Sequence, residues 1–369
     1  MAGPAESMQV DVKSDGPDAE NGAAEPSQRR SGRRKHRPSI LRVVLGHRGR
    51  PVTLFLGLGL IIGCEILLAI DVTRREAAVL KSQADVALLP TPDSALQSLA
   101  RRVAIDMTPL CWVGYLLVAD GLLAGFRRRS ASQPGSPLRT RPRRFAFAFV
   151  TSVGVWLFFD WVNFSFIHAW TYHGLPTNLP HEYVAKFIAF GAISPAIFLT
   201  AELYQQLGLR RVRLPALRVG QAWRVGAFVA GLGLLVFPFV VQRPIGCLTL
   251  WVSLIFVLDP VNAWAGAPSL LRDWQAGRWG RTVALMAGGA TCGILWEFWN
   301  YWAIAKWTYD LPFLGPLESY RAFEMPLPGF VGFLPFALEC WVAFQAFVVG
   351  ARALGLRFVE PLPDHHAVV

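Results

Sequence analysis

Long apolar runs, separated by short arginine-rich segments, dominate the chain. Of its 369 residues, 53% are hydrophobic and 17% are charged. Runs of about 18 or more apolar residues are long enough to cross a bilayer as helices. We therefore expect an all-α, polytopic membrane protein with about eight transmembrane helices. The expected spans are approximately 52–70, 104–125, 145–166, 184–206, 222–241, 244–263, 282–304 and 328–350.

The positive charge follows the loops. The formal net charge is +11, which taken alone would also suit a nucleic-acid-binding protein. The segment 127–144 holds seven arginines, and 210–218 and 272–281 hold seven more, whereas the loop 167–183 has no Lys or Arg. This is the pattern of the positive-inside rule. It predicts both termini in the cytoplasm, an inner or plasma membrane location, membrane lipid as a partner, and no nucleic acid. It indicates nothing about the oligomeric state.

Two parts of the chain match each other at a constant spacing. Asp160 and Glu297 are 137 positions apart, and Trp112 and Trp251 are 139 apart. Spans two to four thus match spans six to eight, whereas spans one and five show no match. The 137-residue spacing recurs in Asn163 and Asn300, Trp170 and Trp307, Thr171 and Thr308, Tyr172 and Tyr309, and Glu202 and Glu339. The 139-residue spacing recurs in Val113 and Val252, Val118 and Val257, and Asp120 and Asp259.

The matches predict an internal duplication. The expected architecture is two parallel four-helix halves, related by a pseudo-twofold axis along the membrane normal. The predicted divisions are a disordered, basic cytoplasmic tail at 1–50, a first half at 51–210, a second half at 211–355 and a C-terminal tail at 356–369.

Acidic residues inside the apolar runs are the candidate site. Glu297 and Asn300 are three positions apart and share one helix face, as do Asp160 and Asn163. Each pair lies about ten residues before a Trp-x-Tyr that ends the span, roughly 15 Å along the helix. With Glu202 and Glu339, they are expected to form a ring of carboxylates and amides. Acidic residues inside membrane-spanning helices commonly mark a functional site. The structural alternative is that they form hydrogen bonds that hold the helices together.

The remaining motifs have weaker patterns. The Trp-x-Tyr pairs at 170–172 and 307–309 also fit an aromatic belt at the membrane interface. Glu324, in FEMPLPGF, precedes prolines that should break any helix and could lie over a cavity mouth, although a solvated loop acid is the alternative. Asp120 and Asp259 suit a helix-capping role. Outer-loop histidines have no copies in the second half, so we predict no metal site, and the sequence contains no cofactor motif.

The order of an acid, about ten residues, Trp-x-Tyr, a loop and then Leu-Pro-x-Glu resembles one group of membrane enzymes. It is similar to the integral-membrane lycopene cyclase domain and, distantly, to the membrane carotenoid hydratases. The resemblance implies tandem helical repeats whose intramembrane acids act on a polyene. Glu297 stands where that family has an Asp. The positions that match are Asp160, Trp170, Tyr172 and Glu182 in the first half, and Glu297, Trp307, Tyr309 and Glu324 in the second.

Three functional hypotheses follow. The first is an enzyme acting on a lipid-soluble, isoprenoid-like substrate by acid–base chemistry. The second is a proton-coupled transporter or channel with a buried acid relay, and the third is a membrane scaffold without chemistry. The candidate catalytic acids are Glu297, Glu324, Glu339 and Asp160. The candidate substrate-binding residues are Asn300, Asn163, Trp307, Tyr309, Trp170, Tyr172 and Glu202. We expect no cofactor.

Overall fold

The computed structural model describes residues 52–73, 91–127 and 136–356. The predicted tail at 1–50, nearly all of the predicted tail at 356–369 and much of the first outer loop lie outside the described residues. The described part is mostly helical, with two very small sheets. Its α-helices are α1 Val52–Val72, α2 Ala95–Ile105, α3 Met107–Arg127, α4 Pro137–Thr140, α5 Pro142–Val162, α6 Leu179–Leu207, α7 Gln221–Val241, α8 Gly246–Trp264, α9 Leu270–Gln275, α10 Gly280–Trp302 and α11 Phe333–Ala353.

Seven helical segments of the described chain are long and apolar enough to cross a membrane. They correspond to all the predicted spans except the seventh, which is α10. That helix has sufficient length, but its C-terminal part reads LWEFWNYW. A Cβ at Gly288 would meet the backbone of α6, and one at Gly289 would meet α11. Because α10 is enclosed by other helices, its surface need not be apolar.

The outer surface of α1 and α7 is apolar. Large side chains on both helices are exposed, among them Val52, Leu56 and Ile62 on α1 and Val229 and Val240 on α7. An exposed apolar surface of this extent is typical of contact with lipid or another protein rather than water. Together with the seven apolar helices, it indicates an integral, multi-pass membrane protein.

Two glycines place α1 and α7 in matching positions. A Cβ at Gly57 of α1 would lie 2.8 Å from the backbone nitrogen of Val118 in α3. A Cβ at Gly231 of α7 would lie 2.8 Å from the backbone nitrogen of Val257 in α8. Val118 and Val257 are one of the matched pairs in the sequence. The first and fifth spans, which share no sequence pattern, therefore pack on equivalent helices in the same way.

Asp120 and Asp259 have the structural role that the sequence predicts, but each lies inside its own helix and caps the short helix that follows. Asp120 accepts hydrogen bonds from the Ser136 hydroxyl (2.6 Å) and the Leu138 N–H (2.9 Å), at the start of α4. Asp259 accepts one from the Leu270 N–H (2.7 Å), at the start of α9. The first N–H groups of a helix lack partners within it, so these carboxylates satisfy them. Each therefore fixes the turn between two spans.

The two Trp-x-Tyr segments lie on strands rather than at helix ends. After α5 the chain passes through a π-helical turn, Asn163–Ile167, and reverses at His168, which has a positive φ of 51°. Strand β1 (Trp170–His173) then pairs antiparallel with β2 (Lys306–Tyr309). The register joins Trp170 to Tyr309, Thr171 to Thr308, Tyr172 to Trp307 and His173 to Lys306. The Trp of each strand thus faces the Tyr of the other, and the register is symmetric about the pair Thr171 and Thr308.

The proline-rich segment before α11 is not α-helical, which confirms the predicted helix break. It contains two 3₁₀ segments, Pro312–Ser319 and Leu327–Gly332, on either side of a small hairpin. The hairpin pairs β3 (Arg321–Ala322) with β4 (Met325–Pro326). Glu324 lies in its two-residue turn, beside the end of β2. The turn brings the carboxylate of Glu324 back to the Trp-x-Tyr strands.

Candidate functional site

Two buried asparagines hold the strands against the helices. Asn163 donates to the Trp170 carbonyl (2.7 Å) and accepts from the N–H groups of Ala169 (2.8 Å) and Trp170 (3.1 Å). Asn300 donates to the Trp307 carbonyl (2.8 Å) and accepts from the Trp307 N–H (2.9 Å). Neither side chain bonds to an acid. They act on the acids indirectly, because they fix the strands that carry the Trp and Tyr side chains.

The strands fold back so that Trp170 and Tyr172 reach the Asp160 carboxylate. Oδ1 accepts from the Trp170 indole N–H (3.0 Å) and from the Tyr172 hydroxyl (3.0 Å), and the same hydroxyl lies 3.1 Å from Oδ2. Tyr172 itself accepts from the Trp156 indole N–H (3.0 Å). The expected separation of roughly 15 Å between acid and Trp-x-Tyr is replaced by direct contact, because the chain reverses after α5.

The second half repeats this cluster around Glu297. Oε1 accepts from the Tyr309 hydroxyl (2.7 Å) and, at 3.4 Å, from the Trp307 indole N–H. The Trp307 indole also approaches the Tyr309 oxygen at 2.7 Å. Glu297 is wholly buried, and its Oε2 has no hydrogen-bond partner among the described residues. The two clusters therefore share their residue types but differ in how fully the acid is satisfied.

Both tyrosines remain protonated donors. Burial, followed by the adjacent Glu297 carboxylate, raises the pKa of Tyr309 well above its usual range. Burial and Asp160 raise the pKa of Tyr172 in the same way. The anionic form of a phenol is disfavoured in a low-dielectric site beside a negative charge. A tyrosine hydroxyl here can therefore give up its proton only if it takes another at the same time from the adjacent carboxyl group, Asp160 for Tyr172 and Glu297 for Tyr309.

A cavity that opens to solvent lies beside the first cluster, and its empty volume of about 660 Å³ includes part of that open space. We call it cavity 1. Tyr172 lines it, together with a wall of tryptophans: Trp112, Trp156, Trp296 and Trp307. Charged side chains line it as well, namely Glu182, Lys186 and Lys306.

A second cavity, cavity 2, of about 470 Å³ lies beside the second cluster. Tyr309 lines it, as Tyr172 lines cavity 1, and Trp251 lines it where Trp112 lines cavity 1. The other lining residues are Trp156, Trp170, Trp296, Trp307, Met325, Gly329, Gly332, Phe333 and Phe336. None of them is charged. The cavities thus share the Trp156, Trp296 and Trp307 wall and differ in the polarity of their linings.

The expected ring of carboxylates does not form through hydrogen bonds. Glu202 forms an ion pair with Arg141 (3.2 Å) near one end of α6. Glu339, wholly buried in α11, accepts from the Leu254 N–H of α8 (3.0 Å), and its Oε2 has no hydrogen-bond partner among the described residues. Neither residue lines cavity 1 or cavity 2. The repeat spacing predicts that Glu202 and Glu339 occupy equivalent positions on their helices. It does not predict which neighbouring side chains each one meets, because tertiary packing decides that.

Glu324 pairs with Lys306 at 2.6 Å, and this lysine lines cavity 1. Glu182, its positional counterpart in the sequence, lines cavity 1 directly and pairs with Lys186. The structure therefore brings Glu324, in a hairpin turn, and Glu182, in the first turn of α6, to the cavity 1 side of the strands, each beside a lysine. No group of three or more His, Cys, Asp or Glu suited to a metal ion occurs among the described residues.

The sequence analysis missed two tryptophans and one acid. Trp156 and Trp296 form the wall between the cavities, with ring centroids 5.2 Å apart. Glu65, in the middle of α1, accepts from the Trp299 indole N–H (3.1 Å). The position that matches Trp156 at the 137-residue spacing is Gly293, so a search for repeated residues passes over it. Glu65 could have been found as an acid within an apolar run.

Comparison with known proteins gives no relative. The chain matches no protein-family model, no curated protein and no solved structure.

Proposed function

We propose that the protein is a membrane-embedded enzyme that transfers a proton to a lipid-soluble, unsaturated substrate, with Glu297 as the proton source. The observation that supports this most is the Glu297–Tyr309–Trp307 cluster beside the apolar cavity 2. A wholly buried carboxyl with one unpartnered oxygen is costly in an apolar environment. Groups of this kind in membrane proteins mark functional sites.

The proton reaches the cavity through Tyr309. Glu297 does not line cavity 2, whereas Tyr309 does and its hydroxyl contacts Glu297. Protonated Glu297 would donate to the tyrosine oxygen as the tyrosine hydroxyl donates to a substrate double bond. The carboxylate is left with the charge, and the substrate becomes a carbocation. Loss of a proton from a neighbouring carbon to a base, or addition of water, then completes the reaction.

The tryptophan wall suits such an intermediate. Trp156, Trp296 and Trp307 line both cavities, and Trp251 lines cavity 2. The face of an indole attracts a cation more strongly than other aromatic side chains do. These rings can therefore stabilise a carbocation without reacting with it as water would. Their shape also favours a flat, unsaturated chain, so we propose an isoprenoid substrate of the type that lycopene cyclases use.

We propose further that the chain arose by internal duplication and has eight spans, with α10 as the seventh. Three observations support the duplication: the twofold register of β1 and β2, the paired acid clusters, and the equivalent packing of Gly57 and Gly231. The arginine distribution supports a cytoplasmic location for both termini. For an isoprenoid enzyme we propose the inner or plasma membrane.

The test is to identify the lipids that co-purify. The full-length protein is extracted in mild detergent, and the bound lipids are analysed by mass spectrometry in wild type, Glu297→Gln and Glu65→Gln. Glu65 is a suitable control because it is also an intramembrane acid bonded to a Trp indole, but it lines neither cavity. We expect one isoprenoid species to accumulate in Glu297→Gln alone. The same bulk phospholipids in all three samples would contradict the proposal.

Proton-coupled transport is a second candidate, and Glu339 favours it. Its Oε2 is buried in α11 without a hydrogen-bond partner among the described residues, and Glu339 lines neither cavity. A relay would use Glu339 as its central site, with Glu297 as the next acid towards the strands. Proton-driven uptake into liposomes that is lost in Glu339→Gln but kept in Glu65→Gln would support transport. Uptake that does not respond to Glu339→Gln would exclude this relay.

A further inference from the structure

The charged residues at cavity 1 are not explained by a purely hydrocarbon substrate. Lys186 and Lys306 both line this cavity, whereas the lining of cavity 2 has no charged residue. They are the two lysines of the described chain. An apolar ligand gains nothing from ammonium groups in its site, and desolvating them is costly. Their presence at one cavity only indicates that one end of the ligand is polar.

Lys306 is held in place before any ligand binds. Its side chain is 8% exposed, and its ammonium group lies 2.6 Å from the Glu324 carboxylate. Glu324 does not line the cavity, so it neutralises the lysine from behind. Lys306 also lies on β2 in register with His173, whose imidazole bonds to the Thr308 hydroxyl at 2.9 Å. The strand pair therefore fixes where the ammonium group meets the cavity.

Lys186 is the more exposed of the two cations. Its ammonium group lies 5.4 Å from the centre of the Tyr172 ring, next to the first acid cluster. Its partner Glu182 is one helical turn away on α6, and the lysine side chain is 28% exposed. Ion pairs of this exposed type contribute little to stability. Lys186 can therefore turn from Glu182 towards a ligand at small cost.

The lining of cavity 1 thus has two ammonium groups and one carboxylate. Counted with Glu324 behind Lys306, the two ammonium groups and two carboxylates sum to zero. An anionic head group therefore fits by replacing Glu182 as the partner of Lys186, with its apolar chain along the tryptophan wall. Lysine binds phosphate as a compact charge with several donors. A phosphate ester at the head would accept hydrogen bonds from both lysines, while its chain lies along Trp112, Trp156 and Trp296.

We propose that cavity 1 binds a single-chain isoprenoid phosphate, with the phosphate held by Lys186 and Lys306. This goes beyond the proposed function, whose acid and tyrosine lie beside the apolar cavity 2, and adds a binding site for a charged lipid at cavity 1. It differs from the hydrocarbon polyenes that the lycopene cyclase resemblance implies. Free phosphate shares the head-group chemistry, but it would leave the apolar part of the cavity empty.

The test measures binding to the purified full-length protein in neutral detergent, by native mass spectrometry. The probes are geranylgeranyl monophosphate, geranylgeraniol and inorganic phosphate. We expect the monophosphate to bind at least about tenfold more tightly than the alcohol, a difference that one good charge-assisted contact supplies. Inorganic phosphate should not displace it at comparable concentration.

The variants separate the head group from the chain. Lys186→Met should abolish the preference for the monophosphate and leave the alcohol unaffected. Lys306→Met is made together with Glu324→Gln, because removing the lysine alone would leave the Glu324 carboxylate without its partner. This double variant should also lose the preference for the monophosphate. Glu324→Gln alone should keep the preference. Arg243→Met, at an exposed position that lines neither cavity, is the matched charge control and should bind as wild type.

Equal affinity for monophosphate and alcohol would overturn the head-group proposal and leave the proposed enzyme intact. A preference that survives the lysine variants, binding of neither probe, or complete displacement by inorganic phosphate would also overturn it. The proposed function fails on a different result, which is the absence of any specific isoprenoid in the Glu297→Gln sample. The two failures are therefore distinguishable.

Discussion

The first and second halves contain carboxylates at matching positions but satisfy them differently. Asp160 accepts from the Trp170 indole and from a Tyr172 hydroxyl that lies between its two oxygens, and Glu202 forms an ion pair with Arg141. In the second half, Glu297 and Glu339 are each wholly buried with one oxygen that has no hydrogen-bond partner among the described residues. The proposed function assigns a structural role to Asp160 and the proton transfer to Glu297, in line with this difference.

The energetic argument supports this division. A buried polar atom without a partner costs roughly 1–3 kcal/mol. The first half shows that this scaffold can satisfy an acid at the same position, with Trp and Tyr donors of the same type. Exceptions to hydrogen-bond satisfaction in native proteins need an explanation, and function is a common one. The unpartnered oxygens in the second half are therefore candidates for holding a proton.

The largest predicted effect separates Glu297 from Asp160. Glu297→Gln keeps the shape but cannot release a carboxyl proton, so turnover of the co-purified lipid should fall by about 10²-fold or more, the usual contribution of general acid catalysis. Asp160→Asn should change turnover by less than about tenfold, since its role is to position Tyr172. Mass-spectrometric assay of substrate and product in membranes measures both. Equal losses in the two variants would contradict the division.

The next largest effect concerns the asparagines. Asn163→Ala and Asn300→Ala each leave buried backbone groups of a strand unpaired, at about 1–3 kcal/mol per group. Asn163 makes three such bonds and Asn300 two, so Asn163→Ala should lower the free energy of unfolding more. Thermal unfolding of the detergent-solubilised protein gives the order. A larger loss in Asn300→Ala would show that the strands are held by other contacts.

A smaller effect tests the equivalence of α1 and α7. Gly57→Val and Gly231→Val would each force a helix pair apart, with about 1–3 kcal/mol lost through overpacking. The controls are Gly59→Val and Gly233→Val on the same helices, where a Cβ meets nothing within 4 Å. Unfolding midpoints should fall for the first two and stay near wild type for the controls. A fall in Gly57→Val alone would refute equivalent packing.

The smallest effect is a pH dependence at the strand pair. Burial, and then Lys306, lower the pKa of His173 from 6.5. The unfolded chain therefore binds a proton at His173 more readily than the folded protein, and stability falls as the pH drops below about 6.5. In His173→Gln the unfolding temperature should change less between pH 7 and pH 5 than it does in the wild type. A slope that persists in this variant would assign the pH response to another group.

Much of the fold followed from the sequence. Long apolar runs predicted the spans, because crossing a bilayer requires about twenty apolar residues. A constant spacing of 137 residues identified the acids and the Trp-x-Tyr segments of both clusters, but not the contact between them. The strands were missed because each is only four residues long, and their pairing partner lies more than 130 positions away. A four-residue segment is too short to show the alternation of apolar and polar residues that identifies a strand in a sequence.

The site was predictable in its residues but not in its connections. Spacing placed Asn300 and Glu297 on one helix face, yet the asparagine bonds to a strand that folds back over it. Which oxygen of Glu297 remains unpartnered depends on the distances to Tyr309 and Trp307 in the folded protein. Trp156 and Trp296 have no copies at the repeat spacing, so a search for duplication could not indicate the wall that they form.

The most direct test of the central claim is deuterium incorporation. The protein in native membranes is incubated in D₂O with its co-purified isoprenoid, and the lipid mass is followed in wild type, Glu297→Gln and Asp160→Asn. If Glu297 delivers a solvent-derived proton to the substrate, wild type and Asp160→Asn will incorporate deuterium and Glu297→Gln will not. Incorporation in Glu297→Gln at the wild-type rate would contradict the assignment of Glu297 as the acid.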